Sequence, residues 1–173
     1  MASYYYLISS LPMLRTQGEP PMDYAAFLAM CRSAVSAGVY RTLEELTVDS
    51  DKGPLLSEWA GFYKALCREL TYQRNVKLGR PCAVPSDRDA GIVQTVTAAV
   101  NAENPLEGER LLLDPEFRRL DGMIGLHNFD DHALYGYAMK LQLLERQRTF
   151  RYESGKRAFE GLMQSIRQQV SSL

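Results

Sequence analysis

At 173 residues, with 46% hydrophobic and 24% charged positions, the chain has the composition of one globular domain able to bury its own core, far from that of a disordered or membrane chain. Its 20 basic and 21 acidic residues leave a net charge of -1, so no bulk attraction to nucleic acid or anionic lipid is expected. The cysteines, Cys31, Cys67 and Cys82, are an odd number at wide spacing, which suits neither a disulfide framework nor a C-x-x-C metal knuckle; reduced thiols in a cytoplasmic protein are the expectation.

The opening YYYLISSLP is too short for periodicity to separate strand from helix, and its apolar run breaks at Ser9, Ser10 and Pro12, short of a signal peptide. Asp23 reads as the cap of a helix carrying Tyr24, Phe27, Leu28, Cys31, Ala34 and Val35 and ending at Gly38. A short helix through Leu43 and Leu46 follows, then a turn over Asp49 to Pro54. Leu55, Leu56, Trp59, Phe62, Tyr63, Leu66 and Leu70 keep the 3, 4 rhythm of a buried helical face, which predicts the central helix of the core.

Gly79 to Pro85 breaks that pattern. Ser86-Asp87-Arg88-Asp89 then resembles a capping box with Asp in the usual Glu place, opening a helix through Ile92, Val93, Val96 and Val100. Asn104-Pro105 starts a short helical piece, and Asp114-Pro115 a separate one running from Glu116 to about Met123. After a loop over Gly125 to Asn128, a long helix runs from Asp130 or Asp131 to about Thr149 with Leu134, Tyr137, Ala138, Leu141 and Leu144 recurring. A last helix from near Glu153 places Ala158, Phe159, Leu162, Met163, Ile166 and Val170 on one stripe. The pattern predicts a single all-α domain, a multi-helix bundle of about six to seven helices ending in a long antiparallel helical pair. No segment approaches the roughly 20 apolar residues of a membrane span, so direct membrane insertion is not expected.

Both histidines lie in His127-Asn128-Phe129-Asp130-Asp131-His132, and this segment is the candidate for a small metal-dependent enzyme. A spacing of five turns the second imidazole away from the first on a helix, and one carboxylate is better explained as a helix cap, so the expectation is no metal site and no cofactor. The G-x-S-x-G, G-x-x-x-x-G-K-[ST] and G-x-G-x-x-G signatures are absent, and no catalytic residue is assigned. Cys31 and Cys67 fall on apolar helical faces, where free cysteine acts as a small hydrophobe, and Cys82 in a loop beside Arg80 is the more reactive thiol. Glu44-Glu45 and Asp130-Asp131 are sequence neighbours that point about 100° apart on a helix and so do not share a proton.

Arg146, Arg148, Arg151, Lys156 and Arg157 stand against Glu153 alone between the last two helices. They form either a solvated hairpin end or a docking patch for an acidic partner. Tyr4, Tyr5 and Tyr6 cannot all face one core; at least one is exposed or covers a partner.

YYYLISSLP at the start, NPLEGERLL at Asn104 to Leu112 and FDDHALYGYAMKLQLLERQRTFRYESGKRAFEGL at Phe129 to Leu162 resemble a family of uncharacterised bacterial proteins encoded among the subunits of V-type rotary ATPases, and more distantly the C (or d) subunit of those machines. The resemblance implies an all-helical, non-catalytic protein at the central stalk, cytoplasmic and peripheral to the membrane through a complex, linking the rotating shaft to the membrane ring. Its partners would be other subunits of the ATPase. The C subunits are about twice as long, which leaves open a shortened version or an accessory factor. Asn104, Pro105, Glu107, Tyr137, Lys140, Leu141 and Arg146, the positions that carry the resemblance, read as cap, turn and core-edge residues. A free-standing helical adaptor and the metal-dependent enzyme are the rival readings.

Overall fold

The computed structural model describes residues 4–150 and 152–171, and the side chains of 4–150 and 155–169. Among these residues there are eight helices and no strand: α1 (Tyr5–Ser10), α2 (Tyr24–Cys31), α3 (Ala37–Glu44), α4 (Pro54–Lys77), α5 (Ala90–Val100), α6 (Pro105–Ile124), α7 (Asp131–Arg148) and α8 (Tyr152–Ser171). The all-α bundle is as the periodicity predicts, and the ambiguous opening segment is helical over Tyr5–Ser10. No helix of the described residues is long and apolar enough to cross a membrane.

Several boundaries differ, each for a local reason. Asp23 does cap α2, its side chain accepting from the Ala26 N–H at 2.8 Å. The helix nevertheless stops at Cys31, whose carbonyl accepts from the N–H groups of both Ala34 and Val35 in a turn, and Ser36 starts a new helix by accepting from the Val39 N–H. Gly38 therefore lies inside α3 and does not end a helix. Upstream of α5 the cap is Asp89, which accepts from Gly91 and Ile92 at 2.8 and 3.0 Å, and not Ser86. Asn104 caps α6 through the Glu107 N–H at 2.9 Å, and α6 then runs unbroken through Pro115, so Asp114-Pro115 starts nothing. Proline leaves the Leu111 carbonyl without its helical donor, at a position where Leu111 is on the exposed side of the helix.

The core is centred on Trp59, fully buried among Phe27, Leu43, Leu56, Leu113 and Met139. Its indole N–H donates to the Val48 carbonyl at 2.8 Å, so burying the ring strands no donor. A smaller cluster of Leu66, Val96 and Leu112 joins α4, α5 and α6. There α5 and α6 approach so closely that a Cβ on Gly108 would lie 2.8 Å from the Ala99 carbonyl oxygen, which requires glycine at that position. The less regular N-terminal third is tied down by long-range hydrogen bonds: Tyr4 N–H to the Phe129 carbonyl at 2.7 Å, the Tyr137 hydroxyl to the Pro12 carbonyl at 2.9 Å, Gln142 to the Leu46 carbonyl at 3.1 Å, and the Tyr24 N–H to the Glu145 carboxylate at 2.7 Å.

The terminal antiparallel pair is not formed. Among the described residues α8 has no extensive packing against any other helix, and Phe159, Leu162 and Ile166 are 62%, 57% and 43% exposed. The periodicity correctly places these residues on one stripe, but α7 already buries Leu134, Ala138, Leu141 and Leu144 against α2, α4 and α6, so its apolar face is not available to α8.

Candidate functional site

The histidine segment is arranged differently from its sequence reading. His127 precedes the cap of α7 and His132 lies in its first turn, so the two are not carried on one helix and helical divergence does not apply. A turn closed by the His127 N–H donating to the Ile124 carbonyl folds the first ring back over the second. The imidazoles stack with centroids 4.3 Å apart and planes 13° from parallel. Asp130 lies between the two functions: one carboxylate oxygen caps α7 by accepting from His132 and Ala133, at 3.1 and 3.2 Å, and the other is 2.5 Å from His127 Nδ1. Burial works to raise the Asp130 carboxyl, and its two contacts, to His127 and to the Ala133 N–H, together outweigh burial and hold the group below its ordinary value.

One nitrogen from each imidazole and one Asp130 oxygen lie within 4.8 Å of one another. Asp131 stands apart from this cluster. Its Oδ1 is buried without a hydrogen-bond partner, and the residue lines, with Asp130, His132, Lys52 and Tyr135, a cavity of about 210 Å³ beside the ring stack. The expectation that one carboxylate is a cap is correct for Asp130; the expectation that the imidazoles diverge is not.

A second polar cluster is buried at the crossing of α4, α6 and α7, and sequence reasoning missed most of it. The Arg146 guanidinium donates to Glu109, to Glu116 at 2.7 Å and to the Tyr63 hydroxyl at 3.3 Å. Glu116 is fully buried, and its Oε1 has no partner. Burial raises its carboxyl to about 7 against the pull of Arg146, and the neighbouring Glu109 charge adds to the rise. The Tyr63 hydroxyl is pushed up to about 12, chiefly by burial. One guanidinium between two carboxylates is balanced when one of them keeps a proton. Arg146 is thus an interior residue and not part of a docking tip. Glu109 and Glu116 are seven apart, on one face of a continuous helix, a signal hidden once α6 is read as two pieces at Asp114-Pro115.

A comparable clamp holds the loop before α5. Arg88 donates to both oxygens of the buried Glu69, at 2.9 and 2.6 Å, and Gln73 donates to the same carboxylate at 2.7 Å, so Glu69 is held below its ordinary value, the Arg88 contact first.

The remaining candidates are dispersed. Tyr4 is buried, and burial together with the nearby Asp131 raises its hydroxyl; Tyr5 and Tyr6 are 54% and 87% exposed. Arg148 lies 3.6 Å from Glu19, Lys156 and Arg157 are on exposed positions of α8, and Arg151 lies outside the described residues, as does the Val170 side chain. Cys31 is buried, its thiol pushed up to about 11 by burial; Cys67 is half-buried and Cys82 exposed, its sulfur 3.8 Å from the Tyr72 carbonyl. A groove of about 560 Å³ between the ends of α4, α5 and α6 is lined by Leu70, Leu78, Val100, Leu112 and Phe150, and its Lys77 ammonium is engaged by the Val100 carbonyl at 2.6 Å. Neither this groove nor the Arg146 cluster sets a nucleophile beside a base. Comparisons with protein-family models, curated proteins and solved structures find no match.

Proposed function

We propose that this chain is a non-catalytic, protein-binding subunit, working in a C-like position between the shaft and the ring of a V-type rotary ATPase, with α8 as its docking element. The observation that carries the reading is the apolar stripe of α8, where Phe159, Leu162 and Ile166 follow one another three and four residues apart, all exposed, on a helix that among the described residues has no extensive packing against the bundle. A helix this amphipathic has little reason to persist in water alone; it is suited to lie in a groove or along a second helix. Phe159 and Leu162 of this stripe belong to the Phe129 to Leu162 phrase whose resemblance points to the ATPase. Helix α8 carries Lys156, Arg157 and Arg167 against Glu153 and Glu160, and the partner proposed for its apolar stripe is a second amphipathic helix, the kind of surface a helical shaft subunit can offer. No reaction is assigned to the groove below Phe150 or to the buried ion clusters.

Co-expression with the shaft and ring subunits, followed by size-exclusion chromatography, tests this. The full chain should co-elute with a shaft subunit, and the Leu162→Glu, Ile166→Glu pair should elute apart from it while keeping its helical circular dichroism. Co-elution unaffected by the double substitution, or elution of the full chain apart from every ATPase subunit, overturns the proposal. Binding lost from the ATPase but kept for another helical protein would favour the free-standing adaptor.

A further inference from the structure

We infer that His127, Asp130 and His132 form a binding site for a divalent transition-metal ion of the zinc class. Two imidazole nitrogens with one carboxylate oxygen are the donor set that borderline ions such as Zn²⁺ and Co²⁺ prefer, and it is a poor one for Ca²⁺ or Mg²⁺, which require mostly oxygen. The donors already lie within 4.8 Å of one another. Donors about 2.0–2.2 Å from a tetrahedral ion are about 3.3 Å from each other, so the cluster has little more than 1 Å to close. His127 has the freedom to make that movement, since its side chain is 42% exposed and is held by the Asp130 contact and by stacking on the His132 ring, which is itself a ligand. Asp130 is positioned for the opposite reason, its second oxygen being fixed by two N–H groups of α7, so the carboxylate is an anchored ligand.

Two further features suit an ion. The 210 Å³ cavity beside His132 gives room for water on a fourth coordination position, and Asp131, whose buried Oδ1 has no hydrogen-bond partner, lines the same cavity. All three ligands sit in the short segment that also receives the chain start, through the Tyr4 N–H bond to the Phe129 carbonyl at 2.7 Å. An ion there would clip the turn before α7 to its first helical turn and steady the attachment of α1, a structural role that is independent of whether α8 binds an ATPase subunit.

The full chain, stripped with chelator and dialysed, is titrated with Co²⁺ and with Zn²⁺ at neutral pH. One equivalent per chain is expected, with visible ligand-field absorption for Co²⁺ and no thiolate charge-transfer band. His127→Ala and His132→Ala should each weaken uptake by at least about tenfold, and Cys82→Ser should leave it unchanged. Should either alanine variant fold poorly, the unmodified protein answers the question, because it has only two histidines: their ring nitrogen resonances should both shift on adding Zn²⁺. No saturable uptake, uptake that survives both histidine substitutions, uptake that follows Cys82, or unmoved ring resonances overturns the site.

Discussion

Replacing Glu116 by Gln should make the protein more stable at alkaline pH and leave it little changed at mildly acidic pH. The side chain is fully buried and shares Arg146 with Glu109, and it titrates near 7 in the folded protein against an ordinary 4.5. Between those values the folded chain holds a proton that the unfolded chain has released. This group's contribution to stability is therefore fully present below about 4.5 and is lost as the pH rises through about 7. At about 1.4 kcal/mol per pH unit, ionising Glu116 in the fold costs about 3 kcal/mol. Glutamine keeps an acceptor for Arg146 and cannot ionise, so it escapes that cost. Urea denaturation of both proteins at pH 5 and pH 8 reads the effect as a difference of differences, in which other groups cancel, including Glu69, whose depressed carboxyl loses its contribution on acidification instead. The advantage of Glu116→Gln should grow by about 2 to 3 kcal/mol between the two pH values. An advantage that stays constant, or shrinks, would show that Glu116 is ionised throughout and that Arg146 outweighs burial.

Arg146→Met should destabilise the fold by about 3 to 5 kcal/mol in the same assay, because it abandons two carboxylates, one of them fully buried, whereas a solvated docking arginine would cost nearly nothing. Gly108→Ala should cost about 1 to 3 kcal/mol, since its methyl meets the Ala99 carbonyl oxygen and backbone must shift to make room; thermal melting reads it directly. Pro115→Ala should raise the melting temperature, by a stabilisation of about 1 kcal/mol, as the restored N–H reaches the orphan Leu111 carbonyl; a loss of stability would mean that the ring's packing matters more than the missing bond. Leu162→Glu with Ile166→Glu should change unfolding free energy by less than about 0.5 kcal/mol per site, because neither side chain belongs to the core.

What the chain determines by itself is local. Apolar residues recurring every three or four positions predict α4, α5 and α7 and their buried faces, because that rhythm matches one turn of helix, and Asp23, Asn104 and Asp130 announce their helices through short-range capping bonds. The exposed stripe of α8 is also plain in the sequence as a stripe. Whether a stripe finds a partner depends on how much apolar surface the other helices leave uncovered, and that is settled only when α7 has been packed against α2, α4 and α6. Proline at 115 looks like a beginning because proline favours first turns; the packing of Leu112, Leu113, Glu116 and Phe117 on either side of it keeps the helix whole. That continuity puts Glu109 and Glu116 on one face for Arg146 to reach, across 37 and 30 residues of chain. The histidine cluster has the same origin: spacing along a helix predicts divergence, but the turn before the Asp130 cap reverses the first ring onto the second. Contacts between residues distant in sequence, or across a reversal of the chain, are not encoded in any short-range period, and tertiary packing alone decides them.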